Sequence, residues 1–285
     1  MRRRSMAVIP LLIGLSQPAT GPDASAEDVL AAMRGALGGA ALDDVRGLRA
    51  EGRSSRTVGS LRLTMAIELA VGRPDRFART ERMALAGAGT ELVTGFNAGL
   101  PIQRATGPDG RPVDVMGLIP AADRARTLAA STATLRAESR LLMLGFFGTA
   151  WDGAPQQVRL IGKAQAPDGE AHALELTWPG SPAATLYVDV RSGRPLMVVW
   201  RAPDVTSLAV SPADPLAGGA LADPSRRSVP DAEHRFYFSD YRPVGRHHWP
   251  HRIQRAIGTT TVEDLQLGSI ALNPAFDRAT FDAER

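Results

Sequence analysis

The sequence predicts a mainly β fold with a few helices, and three observations carry that prediction. Residues 61–71 alternate without a break, so that Leu61, Leu63, Met65, Ile67, Leu69 and Val71 share one face; a period of two is the mark of a strand with one buried side. The stretch from His234 to Phe281 divides into three consecutive strands that end in N-P-x-F-D-x-x-x-F. Glycine (28) and proline (21) are scattered between short runs while aromatics are scarce, which favours many turns over a helical bundle.

The elements follow in chain order. Arg2, Arg3 and Arg4, an apolar run from Met6 to Leu15, and small residues at Ala24, Ser25 and Ala26 read as a secretory leader, residues 1–26, cleaved near Ala26. The run is too short to span a bilayer, and a chain without cysteine has neither a lipidation site nor a disulfide. A single domain is expected over residues 27–285. A short amphipathic helix runs from the end of the leader, Ala24 to Gly38, with Ser25 as its candidate N-cap, Val29, Leu30, Met33 and Leu37 as its apolar stripe, and Gly38-Gly39 as its stop. A strand to about Val58 precedes the alternating run. Gly72-Arg73-Pro74-Asp75 then turns the chain into a strand where Phe77, Met83 and Leu85 share a face, and a third strand lies near residues 91–96.

Residues 121–148 change to helical spacing, with Leu128, Thr132, Leu135, Ser139, Leu142 and Phe146 on one stripe. The last turns, residues 141–147, are apolar nearly all round, which suits either a buried helix or a lid over an apolar cavity. Strands resume at residues 157–165, 172–178, 185–190 and 196–201. Residues 202–231, proline-rich and without period, read as a long loop. The three terminal strands are expected to form the closing edge of the sheet.

Composition narrows the chemistry. Beyond the leader 30 basic and 29 acidic side chains remain, a net charge of +1; all the basic ones but Lys163 are arginine, and no basic cluster with interleaved aromatics marks a nucleic-acid surface. No G-x-S-x-G elbow or phosphate-binding glycine loop is present, and the acidic pairs Asp43-Asp44 and Glu263-Asp264 have no partner that the sequence places. His234, His247, His248 and His251 lie close together, and His247 with His251, joined by Asp240 or His234, are the candidate metal ligands; their spacing matches no zinc signature. No cofactor is expected.

Taken together, Arg73-Pro74-Asp75-Arg76-Phe77 between two long strands, Val93-Thr94-Gly95-Phe96-Asn97-Ala98-Gly99, and residues 236–241 with Trp249-Pro250 and the closing Asn273-Pro274 and Phe281 resemble the bacterial periplasmic carriers of outer-membrane lipoproteins, the LolA/LolB-like family. The resemblance implies a strongly curved, half-open antiparallel β-barrel with a helical lid. It also implies a periplasmic, non-enzymatic, monomeric carrier or binding protein for acyl chains, lipid or another apolar ligand, loaded or unloaded by a membrane-protein partner. Leu63, Met65, Ile67, Leu69, Phe77, Met83 and Leu85 are the expected lining, Leu142 and Phe146 the lid, and Arg73 the latch that hydrogen-bonds it. An envelope sensor of the same fold and a secreted metal-dependent enzyme using His234, His247 and His251 are the competing expectations.

Overall fold

The alternating run becomes strand β2 (Leu61–Gly72), paired on one side with β1 (Gly47–Val58) and on the other with β3 (Arg76–Leu85). The structure, a computed structural model, describes residues 24–58, 61–85, 88–117, 119–149, 155–166, 169–179, 181–203 and 230–282. The leader at 1–26 falls almost wholly outside these, as does most of the loop at 202–231. From β3 the meander continues through β4 (Ala88–Asn97), β5 (Leu100–Thr106) and β6 (Pro112–Val113). After a long helix come β7 (Gln157–Ala166), β8 (Gly169–Thr177), β9 (Ala184–Asp189), β10 (Pro195–Pro203), β11 (Asp231–Val244), β12 (His247–Ile257) and β13 (Thr260–Leu272). These strands form one antiparallel sheet in the order β6-β5-β4-β3-β2-β1-β13-β12-β11-β10-β9-β8-β7, and β6 and β7 remain its separate edges.

That order overturns the expectation that the terminal strands close the sheet. They lie at its centre, because β13 pairs with β1 from Leu48 opposite Leu272 to Arg56 opposite Glu263. The Asn273 side chain secures the junction: its Oδ1 accepts from the Arg46 and Gly47 N–H groups at 2.6 and 3.2 Å, and its Nδ2 donates to the Asp44 carbonyl at 3.0 Å. The edges are protected in other ways. β6 is too short to template another strand, and β7 carries Arg159 and Lys163 in exposed ion pairs with Glu175 and Glu170.

The sheet is strongly curved. β3 and β13 are three strand spacings apart, about 14 Å on a flat surface. Yet Arg79 of β3 bonds Glu263 of β13 directly, which requires that the strands bend toward one another.

Two helices fill the concave side. α1 (Ala26–Leu37) starts at a capping box in which the Ser25 hydroxyl accepts from the Asp28 N–H at 3.1 Å and the Asp28 carboxylate accepts from the Ser25 N–H at 3.0 Å. Its stripe of Val29, Met33 and Leu37 is buried. α2 (Ala121–Phe147) is 27 residues long, about 40 Å at 1.5 Å per residue, and has two characters. Residues 121–138 are exposed or half-buried, whereas residues 141–147 are all buried. Gly148 stops it in the left-handed conformation at φ 70°, with its N–H bonded to the Leu144 carbonyl. A side chain at Gly145 would stand 2.4 Å from the Phe238 ring, so glycine there lets the helix lie directly on β11.

Candidate functional site

The concave face is apolar where the end of α2 rests on it. Phe146 and Phe147 both meet the Trp249 indole edge-on, with ring centroids 5.7 Å apart in each case, and His247 stacks on the same indole at 5.1 Å. Leu142 and Phe146, the expected lid residues, are buried in the main core together with Leu48, Leu69, Val71, Phe77 and Phe96. A single seven-residue apolar run of one helix thus occupies the middle of a concave apolar sheet.

Of the expected lining, Met65, Ile67, Leu69 and Phe77 are buried, and Phe77 stands opposite Val71 and stacks on Phe96 at 5.9 Å. Leu63 and Met83 are half-buried, and the Leu85 side chain lies outside the described residues. The facing strand is not continuously apolar, which corrects the sequence reading. Between Phe77 and Met83 the same face carries Arg79 and Glu81, opposite Leu69 and Ile67. The parity was legible in the sequence, because Phe77, Arg79, Glu81 and Met83 are separated by two residues each.

These two side chains belong to an ionic network around the buried Glu263 that sequence reading missed. Arg79 bonds both Glu81, at 2.6 Å, and Glu263, and Arg56 bonds Glu263 at 2.8 Å and Glu81 at 3.1 Å. The Ser54 hydroxyl donates to Glu263 at 2.6 Å. Burial would raise the Glu263 carboxyl, but the Arg79 and Arg56 guanidiniums and the Ser54 hydroxyl outweigh it and hold the group at about 2. Burial would likewise lower Arg79, and its two carboxylates raise it instead. The cluster ties β1, β3 and β13 together across the concave side, skipping β2. Beside it, a cleft of about 220 Å³ lined by Ser55, Thr57, Arg62, Arg252, Gln254, Thr261, Glu263 and Asp264 is polar.

Polar contacts hold α2 just before its buried end. Arg136 pairs with Asp75 at 2.5 Å and lies over the Phe96 ring at 5.4 Å, and Glu138 pairs with Arg255 of β12 at 2.5 Å. Arg140 sits over Trp178 at 5.5 Å. Arg73, in the turn with a cis Arg73-Pro74 bond, does reach the helix, but through a ring: its guanidinium lies 5.5 Å from the centre of Phe147. Among the described residues its side chain makes no hydrogen bond to a helix carbonyl, so the expected latch is a cation–π contact.

The histidines are not a metal centre. His234 pairs with Ile257 and His247 with Val244, ten positions apart along β12, roughly 33 Å in an extended strand. His247 and His251, four positions apart on one strand, are separated by roughly 13 Å, which no single ion bridges. His247 is spent on Trp249, and the His251 Nδ1 lies 3.1 Å from the Trp249 carbonyl. Among the described residues no three His, Asp or Glu side chains are placed to hold a metal ion.

No family model matches the sequence, and no curated protein matches it. Among solved structures, its neighbours include a DUF1329 family protein from Desulfovibrio piger (12% identity, 90% of this chain and 95% of that one, TM-score 0.49). A LolA superfamily protein from Nitrosomonas europaea follows (10% identity, 90% and 98%, TM-score 0.48). A third is a putative outer membrane lipoprotein-sorting protein domain from Vibrio parahaemolyticus (12% identity, 90% and 97%, TM-score 0.46). The half-open fold is read from the strand order.

Proposed function

We propose that this protein is a non-enzymatic carrier or binding protein of the bacterial envelope that holds an acyl chain, lipid or similar apolar ligand in its concave sheet. The observation that carries the proposal is that one short apolar helical run, residues 141–147, fills a concave apolar face on a helix whose remaining turns are half-exposed. Ligand chains take its place when the end of α2 withdraws. Met65, Ile67, Leu69 and Phe77 then line the ligand, Leu63 and Met83 flank it, and Leu142, Phe146 and the Arg73–Phe147 contact form the lid and its latch. The exchange is one apolar surface for another, so binding is driven by the excess of ligand area over lid area, at about 25 cal/mol per Å².

The leader read at residues 1–26 directs the chain to the periplasm, where it works unlipidated and as a monomer; a membrane-protein partner loads or receives the ligand. No helix among the described residues is long and apolar enough to cross a membrane. The test is to purify the protein from the envelope, extract it with organic solvent and look for lipid by mass spectrometry, measuring metal on the same sample. Lipid near one mole per mole supports the proposal. Stoichiometric zinc without lipid contradicts it, as does failure of every acyl compound to displace a neutral apolar dye.

A further inference from the structure

Among the described residues, the concave face holds a charge imbalance that α2 corrects. On β1, β3, β12 and β13 three guanidiniums, Arg56, Arg79 and Arg255, face two carboxylates, Glu81 and Glu263. Arg56 and Arg79 take up both of those carboxylates. Arg255 stands opposite Glu263 in the register but is left to Glu138, which the helix brings, at 2.5 Å. Even so, the buried Arg255 Nε has no hydrogen-bond partner.

A buried histidine stands beside it. His234 is 1% exposed, and the backbone of Ala202 and Pro203 lies within reach of its ring. It flanks Phe236, the residue opposite Arg255, on the same side of β11, and the charges of both Arg255 and Glu138 bear on its ring. A buried donor without an acceptor is costly and rare, and here one, the Arg255 Nε, lies beside a carboxylate that is not part of the sheet. At the other ion pair of α2 the buried atom without a hydrogen bond is an acceptor and not a donor. It is the Asp75 Oδ1, in the turn between Arg73 and Arg76, which faces Arg136.

We infer that Glu138 stands in for the ligand: the concave face takes amphiphiles with an anionic head, a carboxylate or phosphate, and Arg255, beside His234, receives that anion when α2 withdraws. Arginine suits the role because its planar donors match either anion. The inference rests on the carrier reading above and adds the class of head group to it.

The experiment is displacement of the neutral dye N-phenyl-1-naphthylamine by oleate and by methyl oleate, which share a chain and differ in charge. Oleate is expected to compete at tenfold lower concentration or better. The double variant Glu138→Gln/Arg255→Gln, which leaves no unpaired buried charge, is expected to bind both compounds equally, and Arg255→Lys to keep part of the preference. Glu138→Gln alone tightens both ligands together and leaves their ratio unchanged. Equal competition in the wild type, or a preference that survives the double variant, overturns the inference while leaving the carrier reading intact; if neither compound displaces the dye, both fall. Inorganic phosphate alone is expected to leave thermal unfolding unchanged, and an Arg255-dependent stabilisation by phosphate would mark a site for free anions instead.

Discussion

The two ends of the concave face are built from opposite materials. Under residues 141–147 the sheet offers Leu69, Val71, Phe77, Phe96 and Trp249, and the contact is apolar on both sides. A few residues along the same strands, Arg56, Arg79, Glu81 and Glu263 lock β1, β3 and β13 into one ionic cluster. An apolar surface accepts any occupant of suitable shape, because burial is non-directional. A buried ion network does not, since removing one member strands its partners in low dielectric. The difference teaches where exchange happens: the ionic end keeps the sheet curved, and the apolar end is where one occupant replaces another.

The contrast predicts unequal responses to substitution. Glu263→Ala leaves Arg56 and Arg79 without their shared carboxylate and is expected to cost about 3–5 kcal/mol in urea unfolding. A loss under 1 kcal/mol would remove the ionic cluster from its role. Phe146→Ala is expected to cost about 3 kcal/mol by opening a cavity beside Trp249. Unlike Glu263→Ala, it should tighten binding of a neutral apolar dye, because it shrinks the resident occupant without disturbing the curvature.

Acid separates the two ends as well. With Glu263 at about 2 in the folded protein and 4.5 as its ordinary value, its stabilisation is complete above pH 4.5 and is lost as pH falls from there toward 2. The loss is about 3 kcal/mol. Glu263→Gln should flatten the stability profile in that window, down to the shallower slope left by Asp28, Asp189 and Asp240, whose carboxyls are also held low. The smallest effect is at the rim: Arg73→Ala removes one cation–π contact with Phe147 and is expected to cost about 0.5–1 kcal/mol, with a matching gain in dye affinity.

Local patterns made much of this legible in the sequence. The alternation of residues 61–71, the Ser25 cap and the helical stripe ending at Phe146 are each written in neighbouring residues, and each appears where expected. β5 escaped notice because Pro101 and a mixed pattern hide its period. What local reading does not reach is pairing between distant segments. Arg79 meets Glu263 184 residues away, and Glu138 meets Arg255 117 residues away. Neither the central place of β13 nor the scatter of the histidines follows from spacing along the chain.

The central claim, that the end of α2 is a replaceable occupant, is tested most directly by a thiol placed at its entry. Ser139 is 2% exposed and the chain has no cysteine, so Ser139→Cys puts one buried and therefore slow-reacting thiol at the start of the buried run. Saturating oleate is expected to speed its modification by a thiol reagent at least tenfold, with Phe146→Ala speeding it in the absence of ligand. Full displacement of the dye by oleate with no change in the thiol rate would contradict it.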